Sequence, residues 1–191
     1  LECVDLPVGH LICEQGQAMR HAYFPVGALV SLLYMLENGA SAEIAIVGSE
    51  GVVGVPLFMG GDSPLSSSVV QSAGICFRLK APLLKEEFAH CQPLRHALLM
   101  YTQALIAQMA QTAVCYRHHC VAQQLSRWLL LSLDRLRSNE LHMTQERLAS
   151  MLGVRREGIT EAAGRLQAAG VIQYSRGRIR VLDRPELERS T

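Results

Sequence analysis

The chain has 191 residues, 49% of them apolar and 18% charged, which is enough to bury one sizeable core or two modest ones. Its longest unbroken apolar stretches, such as Leu32 to Leu36 and Leu129 to Leu131, fall far short of the roughly 20 residues of a membrane-spanning helix, so a helical membrane protein is excluded. The formal charge of +1 hides an asymmetry: residues 1–117 carry 6 Lys+Arg against 9 Asp+Glu, whereas residues 118–191 carry 12 against 8. A basic C-terminal part is suited to a polyanion, and an acidic N-terminal part to some other task. No charged segment leads into an apolar one at the N-terminus, so no secretory leader is expected, and the cytoplasm is the expected compartment. The six cysteines (Cys3, Cys13, Cys76, Cys91, Cys115, Cys120) lack the density of a disulfide scaffold and are expected as free thiols.

From Leu6 to Leu79 glycines punctuate short apolar or alternating runs, including His10–Cys13, Ala28–Leu33, Glu43–Val47 and Ser68–Leu79. Each is of about strand length and bounded by turn residues, the pattern of a small β-sandwich or barrel. After Pro93 neither Pro nor Gly occurs until Gly153, an interval long enough for two or more helices. Leu94, Leu98, Tyr101, Leu105, Gln108, Thr112 and Cys115 recur at helical spacing, and Leu99, Ile106, Met109, Ala113 and Tyr116 form a second stripe. A helix with two apolar stripes has two partners to bury against, its own β-domain and the same helix of a second subunit. The first stripe (Leu94, Leu98, Tyr101, Leu105, Thr112) is the expected seam of a parallel homodimer. The periodicity restarts after His118-His119 with Val121, Leu125, Trp128, Leu129 and Ser132, and is expected to run to about Arg137.

Thr144 is placed to cap a helix whose apolar residues are Leu148, Met151 and Leu152, with Gly153 supplying the turn that ends it. A second helix follows, its inner face Ile159, Ala163 and Leu166 and its exposed start Arg155, Arg156, Glu157 and Thr160. Such a start suits the major groove, since arginine pairs with guanine O6/N7, a carboxylate accepts from cytosine N4, and helix-terminal amides bind phosphate. Ile172-Gln-Tyr174 and Ile179-Arg-Val181 then alternate around Ser175-Arg-Gly-Arg178, a hairpin whose tip arginines, Arg176 and Arg178, are candidates for phosphate contacts. These elements predict a winged helix-turn-helix.

The run from Thr144 through Thr160 (TQERLASMLGVRREGIT), with Arg165-Leu166 and Gly170-Val-Ile, resembles the DNA-binding region of the Crp/Fnr family. Gly9, Gly16, Tyr23, Gly27-Ala-Leu-Val-Ser-Leu and Gly54 look like that family's cyclic-nucleotide-binding-type β-roll, so the resemblance covers nearly the whole chain in order. It implies an α+β fold: a jelly-roll-like sensor domain over residues 1–92, a central dimerisation helix over 93–119, and a winged helix-turn-helix over 120–191. It also implies a homodimeric, cytoplasmic transcription regulator that binds double-stranded DNA and, where it activates, meets RNA polymerase. Matched to the family's recognition helix, Arg156 and Glu157 take the positions of its base-reading arginine and glutamate, while Glu161 stands where a second arginine is frequent.

Members that bind cyclic nucleotides hold the ribose with a Glu and the phosphate with an Arg. Here Val55 stands where the Glu would be, and no Lys or Arg occurs between Arg20 and Arg78. Ser66, Ser67 and Ser68 offer hydrogen bonds but no charge, so a buried phosphodiester would go unneutralised and cyclic AMP is not expected. Cys3 and Cys13 do not make the cysteine cluster of an iron-sulfur sensor. Cys115, His118, His119 and Cys120 are read as a polar hinge with two small thiols rather than a metal site, and His21, His90 and His96 give no haem signature. No cofactor is identified, and with no Gly-x-Ser-x-Gly, phosphate loop, His-Glu-x-x-His or Cys-x-x-Cys the chain is not expected to be an enzyme. The competing reading is a small-molecule or redox sensor module whose output is protein contact, with the winged helix as a docking surface.

Overall fold

Runs of Val, Ile and Phe, too short and too frequently interrupted by Gly for helices, become antiparallel strands in the N-terminal domain. The structure, a computed structural model, describes residues 1–37, 39–136 and 138–191. Strands β1 (Glu2–Leu6), β2 (Leu11–Cys13), β3 (His21–Pro25), β4 (Leu29–Met35), β5 (Ser41–Val47), β6 (Ser67–Ser72) and β7 (Gly74–Lys80) form two sheets, ordered β1-β7-β3 and β2-β6-β4-β5. A short 3-10 helix, Val55–Leu57, starts at the Pro56 turn. Inward residues of both sheets, among them Ala22, Val30, Leu32, Ala45, Val47, Val70 and Cys76, fill one core. The expected strand Ser68–Leu79 is two strands in different sheets, β6 and β7, separated at Ala73. Its hydrophobic run is continuous because both halves are buried on the same core, and apolar content alone does not mark where a chain changes sheet.

Helix α1 (Ala81–His90) and the 27-residue helix α2 (Gln92–His118) follow, each with Pro in its first turn where the missing N–H has no partner to lose. Helix α3 (Val121–Leu133) begins just after the predicted break at His118-His119. It ends short of the expected limit near Arg137, which lies outside the described residues. Helices α4 (Gln145–Leu152), α5 (Arg156–Ala168) and α6 (Arg184–Arg189) pack with α3 and with a three-stranded sheet ordered β8-β10-β9, formed by β8 (Glu140–His142), β9 (Ile172–Ser175) and β10 (Arg178–Val181). Among the described residues no helix is long and apolar enough to cross a membrane.

The first stripe of α2 meets the chain's own domains, and the second divides, Met109 and Tyr116 packing on the chain's own cores while the rest stay exposed. Leu98, Leu105 and Thr112 are buried, and Leu94 and Tyr101 pack beside them on the β-domain core, so the residues expected at a dimer seam are consumed by the chain's own sensor domain. Leu99, Ile106 and Ala113 stay exposed, with Ala110 and Val114 beside them, and form the free apolar face. Both stripes have the same spacing, and only the position of the β-domain distinguishes them.

The C-terminal helices and the β-roll share a core as well. Leu29 and Ile46 of the β-roll belong to the same buried cluster as Trp128, Leu129, Leu148, Met151 and Ile159. Helix α4 packs directly on β5, with the Ser41 and Ser150 hydroxyls 3.1 Å apart.

Candidate nucleic-acid interface

Helices α4 and α5 are joined by a three-residue turn. The Thr144 hydroxyl accepts from the Arg147 amide at 3.2 Å and caps α4, as its position before an apolar periodic run predicts. Gly153 closes α4 in the left-handed region, at φ 64°, where a β-carbon would be strained. Ile159, Ala163 and Leu166 bury one face of α5, with Ala162 beside them, and this orients the opposite face outward. Arg155, Arg156, Glu157, Thr160 and Glu161 are all exposed on that face or at its start.

The wing is a two-residue hairpin. Ser175 pairs with Arg178, leaving Arg176 at φ 51° and Gly177 at φ 77° as the central residues. Both centres of such a turn must be left-handed, because that geometry matches the twist of the flanking strands. Glycine meets this freely, whereas Arg176 is the one non-glycine residue with positive φ among those described. A strained arginine at a loop tip is the kind of outlier that points to a use for the side chain.

Recognition helix and wing converge. Thr144, Gln145, Glu146 and Arg156 on one side and Tyr174, Ser175, Arg176 and Gly177 on the other line a single concave surface. Tyr174, which the sequence reading did not single out, fixes the base of the wing by donating to the Met143 carbonyl at 2.7 Å. Gln145, also not singled out, accepts from the Thr160 hydroxyl at 2.8 Å and ties the two helices together. Thr144 and Thr160 are thus engaged in holding the motif.

The charged residues differ in freedom. Among the described residues Arg155 and Arg176 make no ion pair, and Arg156 lies only loosely, at 4.0 Å, beside exposed Glu146. Arg178 is held by Glu140 at 3.0 Å, with Arg180 reaching the other oxygen at 3.8 Å. Glu161 is taken by Arg165 one turn on, at 2.5 Å. The sequence signal for Arg178 and Glu161 was position, and position does not reveal a competing partner.

In the β-roll, an open cavity of about 550 Å³ lies between the β4-β5-β6 face of one sheet, the 52–66 segment and α2. Val55, Ser66 and Ser68 line it as expected, but Ser67 does not. Ser67 turns to the other side of β6, where its oxygen accepts from the Gln15 amide at 3.0 Å, as strand alternation requires. The rest of the wall is chiefly Met19, Leu32, Ile44, Val52, Val53, Pro56, Met59, Leu105, Ile106 and Met109, without a charged residue. Among the described residues no three of His, Cys, Asp or Glu converge as a metal site, and Cys115, buried on α2, instead accepts from the Gln111 amide at 3.3 Å.

A jelly-roll-like domain joined by one long helix to a winged helix-turn-helix is the architecture of a two-domain regulator of the Crp/Fnr class. Residues 123–190 match the family model of the Crp-like helix-turn-helix domain. No curated protein matches the chain in sequence. Solved structures match it along nearly its whole length. FixK2 from Bradyrhizobium japonicum superposes with a TM-score of 0.83 at 15% identity, covering 99% of this chain and 96% of that one. A CRP-family transcriptional regulator from Thermus thermophilus gives 0.81 at 17%, covering 98% and 95%. The c-di-GMP-responsive global regulator CLP of Xanthomonas campestris gives 0.72 at 15%, covering 95% and 94%. Residues 123–190 are thus similar to a Crp-like helix-turn-helix domain, and the chain as a whole shares the fold of these solved structures.

Proposed function

We propose that the protein is a sequence-specific DNA-binding transcription regulator, not an enzyme, that acts as a homodimer on a two-fold symmetric site. The observation that carries this is the convergence of the α4 start, Arg156 at the α5 start and the wing tip on one concave surface, where among the described residues Arg156 is loosely paired and Arg176 makes no ion pair. Arg156 and Glu157 read base edges, the α5 amides and Arg176 hold phosphates, and half-sites lie about one DNA turn apart. The exposed α2 stripe of Leu99, Ile106, Ala110 and Ala113 provides the dimer seam. RNA polymerase is the further partner where the regulator activates.

The sensor cavity has no cation to neutralise a phosphodiester, which favours an uncharged, largely apolar effector over cyclic AMP. The test is selection from a randomised duplex library at about 0.15 M salt, where exposed charges are already partly screened. Recovery of a symmetric site is expected, with an affinity that falls steeply as salt rises. Binding to no duplex, with or without apolar ligands, would instead favour the protein-contact module.

A further inference from the structure

The contact between the sensor and DNA-binding domains contains a carboxyl group that neither domain needs for its own core. Glu43 lies on β5 and is only 3% exposed. A carboxylate in such a place has lost its water and ordinarily requires a cation in contact. None touches it. Arg135, just past α3, is bound to Glu50 at 2.6 Å and to Gln108 at 3.2 Å, and Arg127 of α3 bonds to Thr112 at 3.3 Å. What does touch Glu43 comes from both domains. The Trp128 indole N–H, on α3, donates to Oε1 at 2.9 Å, and Ser31 of β4 bonds to Oε2. Tyr116 of α2 donates to the Glu43 carbonyl at 2.9 Å and approaches the Met151 carbonyl of α4 at 3.4 Å. Arg127, Arg135, Tyr116 and Cys115 are the charged and titratable groups facing this site among the described residues.

We propose that Glu43 is a protonation-gated latch that, when neutral, holds Trp128 and with it the DNA-binding domain against the sensor domain, and that ionisation opens this contact. The geometry supplies the reason. A neutral carboxyl is satisfied by an indole and a hydroxyl, whereas an anion in the same place is left without a counter-charge and regains its solvation only if α3 moves away from β5. Burial accordingly pushes the group from its ordinary 4.5 to about 8, against the smaller opposing effects of Ser31, Trp128 and the two arginines. The sign follows from proton binding. The docked state holds more protons than the open one between these values, so docking is firmest below about 4.5, weakens as pH rises, and reaches its minimum once pH passes about 8. Neighbouring Ile44 lines the effector cavity, so the strand that carries the latch is also a wall of the pocket. The latch relies on the proposed function only for its output, DNA binding.

Trp128 is the single tryptophan of the chain, so it reports on the contact directly. In the full-length protein its emission is expected to shift to the red as pH rises between about 4.5 and about 8. Glu43→Gln keeps a carbonyl for the indole but cannot ionise, and its emission should stay constant over that range. Ser31→Ala removes one of the two side-chain partners of the docked carboxyl, and should displace the midpoint. A flat wild-type profile, or a Glu43→Gln protein that titrates like the wild type, overturns the latch. If circular dichroism shows Glu43→Gln to be unfolded, Ser31→Ala decides: a displaced midpoint supports the proposal and an unmoved one overturns it. DNA affinity measured across the same pH range separates the two readings, because a fluorescence titration in a protein that binds no DNA leaves the latch intact and removes the proposed function.

Discussion

Arg156 and Arg176 carry the same charge on the same concave surface, but their backbones assign them different work. Arg156 is the first residue of α5, on a rigid helix whose inner face is fully packed, so its guanidinium is aimed with the precision that base reading needs. Arg176 sits on a two-residue turn at the wing tip, a place suited to the sequence-independent phosphate chain. Arg156→Ala is expected to weaken binding to the preferred site by about 1 to 3 kcal/mol and to relax base preference, whereas Arg176→Ala should weaken all sequences alike and reduce the salt dependence by about one phosphate contact. Titrations against specific and scrambled duplexes at several salt concentrations check both, and equal effects on the two duplexes from Arg156→Ala would remove its reading role. Arg178→Ala should cost less than Arg176→Ala, because Glu140 already engages its side chain. The sequence made both tip arginines visible, but Glu140 lies in a strand 38 positions away in the chain and comes beside Arg178 only when β8 pairs with β10.

At the scale of the element, Gly164 within α5 and Gly153 just after α4 have opposite expected responses to alanine. Gly164 lies in the middle of α5, exposed, with no atom near the place of an added β-carbon. Gly164→Ala should therefore stabilise the protein by about 0.5 to 1 kcal/mol, since it restricts only the unfolded chain. Gly153→Ala should destabilise by about 1 kcal/mol or more, because φ 64° is unfavourable for any residue with a side chain. Urea unfolding midpoints of the two variants should move in opposite directions.

Helix α2 allows a similar contrast. Ile106→Glu places a charge on the free face and should leave a folded protein that sediments as a monomer, whereas Leu105→Glu places one in the sensor core, where Leu105 is 7% exposed, and should prevent folding. Sedimentation and circular dichroism distinguish these outcomes, and an Ile106→Glu dimer would argue against this face as the seam. Periodicity predicted the helix and both of its stripes. It did not predict which stripe meets which partner, since a 3.6-residue period encodes faces and says nothing of what lies opposite them.

For the whole molecule, the cluster that joins Leu29 and Ile46 to Trp128 and Leu129 makes the two domains partners in one core. Movement of the reading head therefore has to break apolar contacts together with the Glu43–Trp128 bond, and an effector in the cavity acts on α2 and β5, elements that also face the DNA-binding domain. Neutral effectors should accordingly alter the emission of Trp128, whereas cyclic AMP, lacking a cation to receive its phosphate, should leave it unchanged at millimolar concentration. A tight cyclic AMP complex measured by calorimetry would overturn the charge argument.

The sequence by itself determined what depends on near neighbours in the chain: the helices through their period, the caps at Thr144 and Gly153, and the wing through its alternating strands. It also determined the exposed Arg156–Glu157 start of α5, because the apolar residues that bury the other face lie within the same few turns. The tertiary structure alone decided what depends on residues far apart in the chain. It divided Ser68–Leu79 between two sheets, gave the first stripe of α2 to the β-roll, turned Ser67 away from the cavity, paired Arg178 with Glu140, and enclosed Glu43 between β4, α2 and α3. In each case local pattern fixes only the direction in which a side chain points, and the physical outcome, burial, pairing or freedom, is set by the surface that folding brings against it.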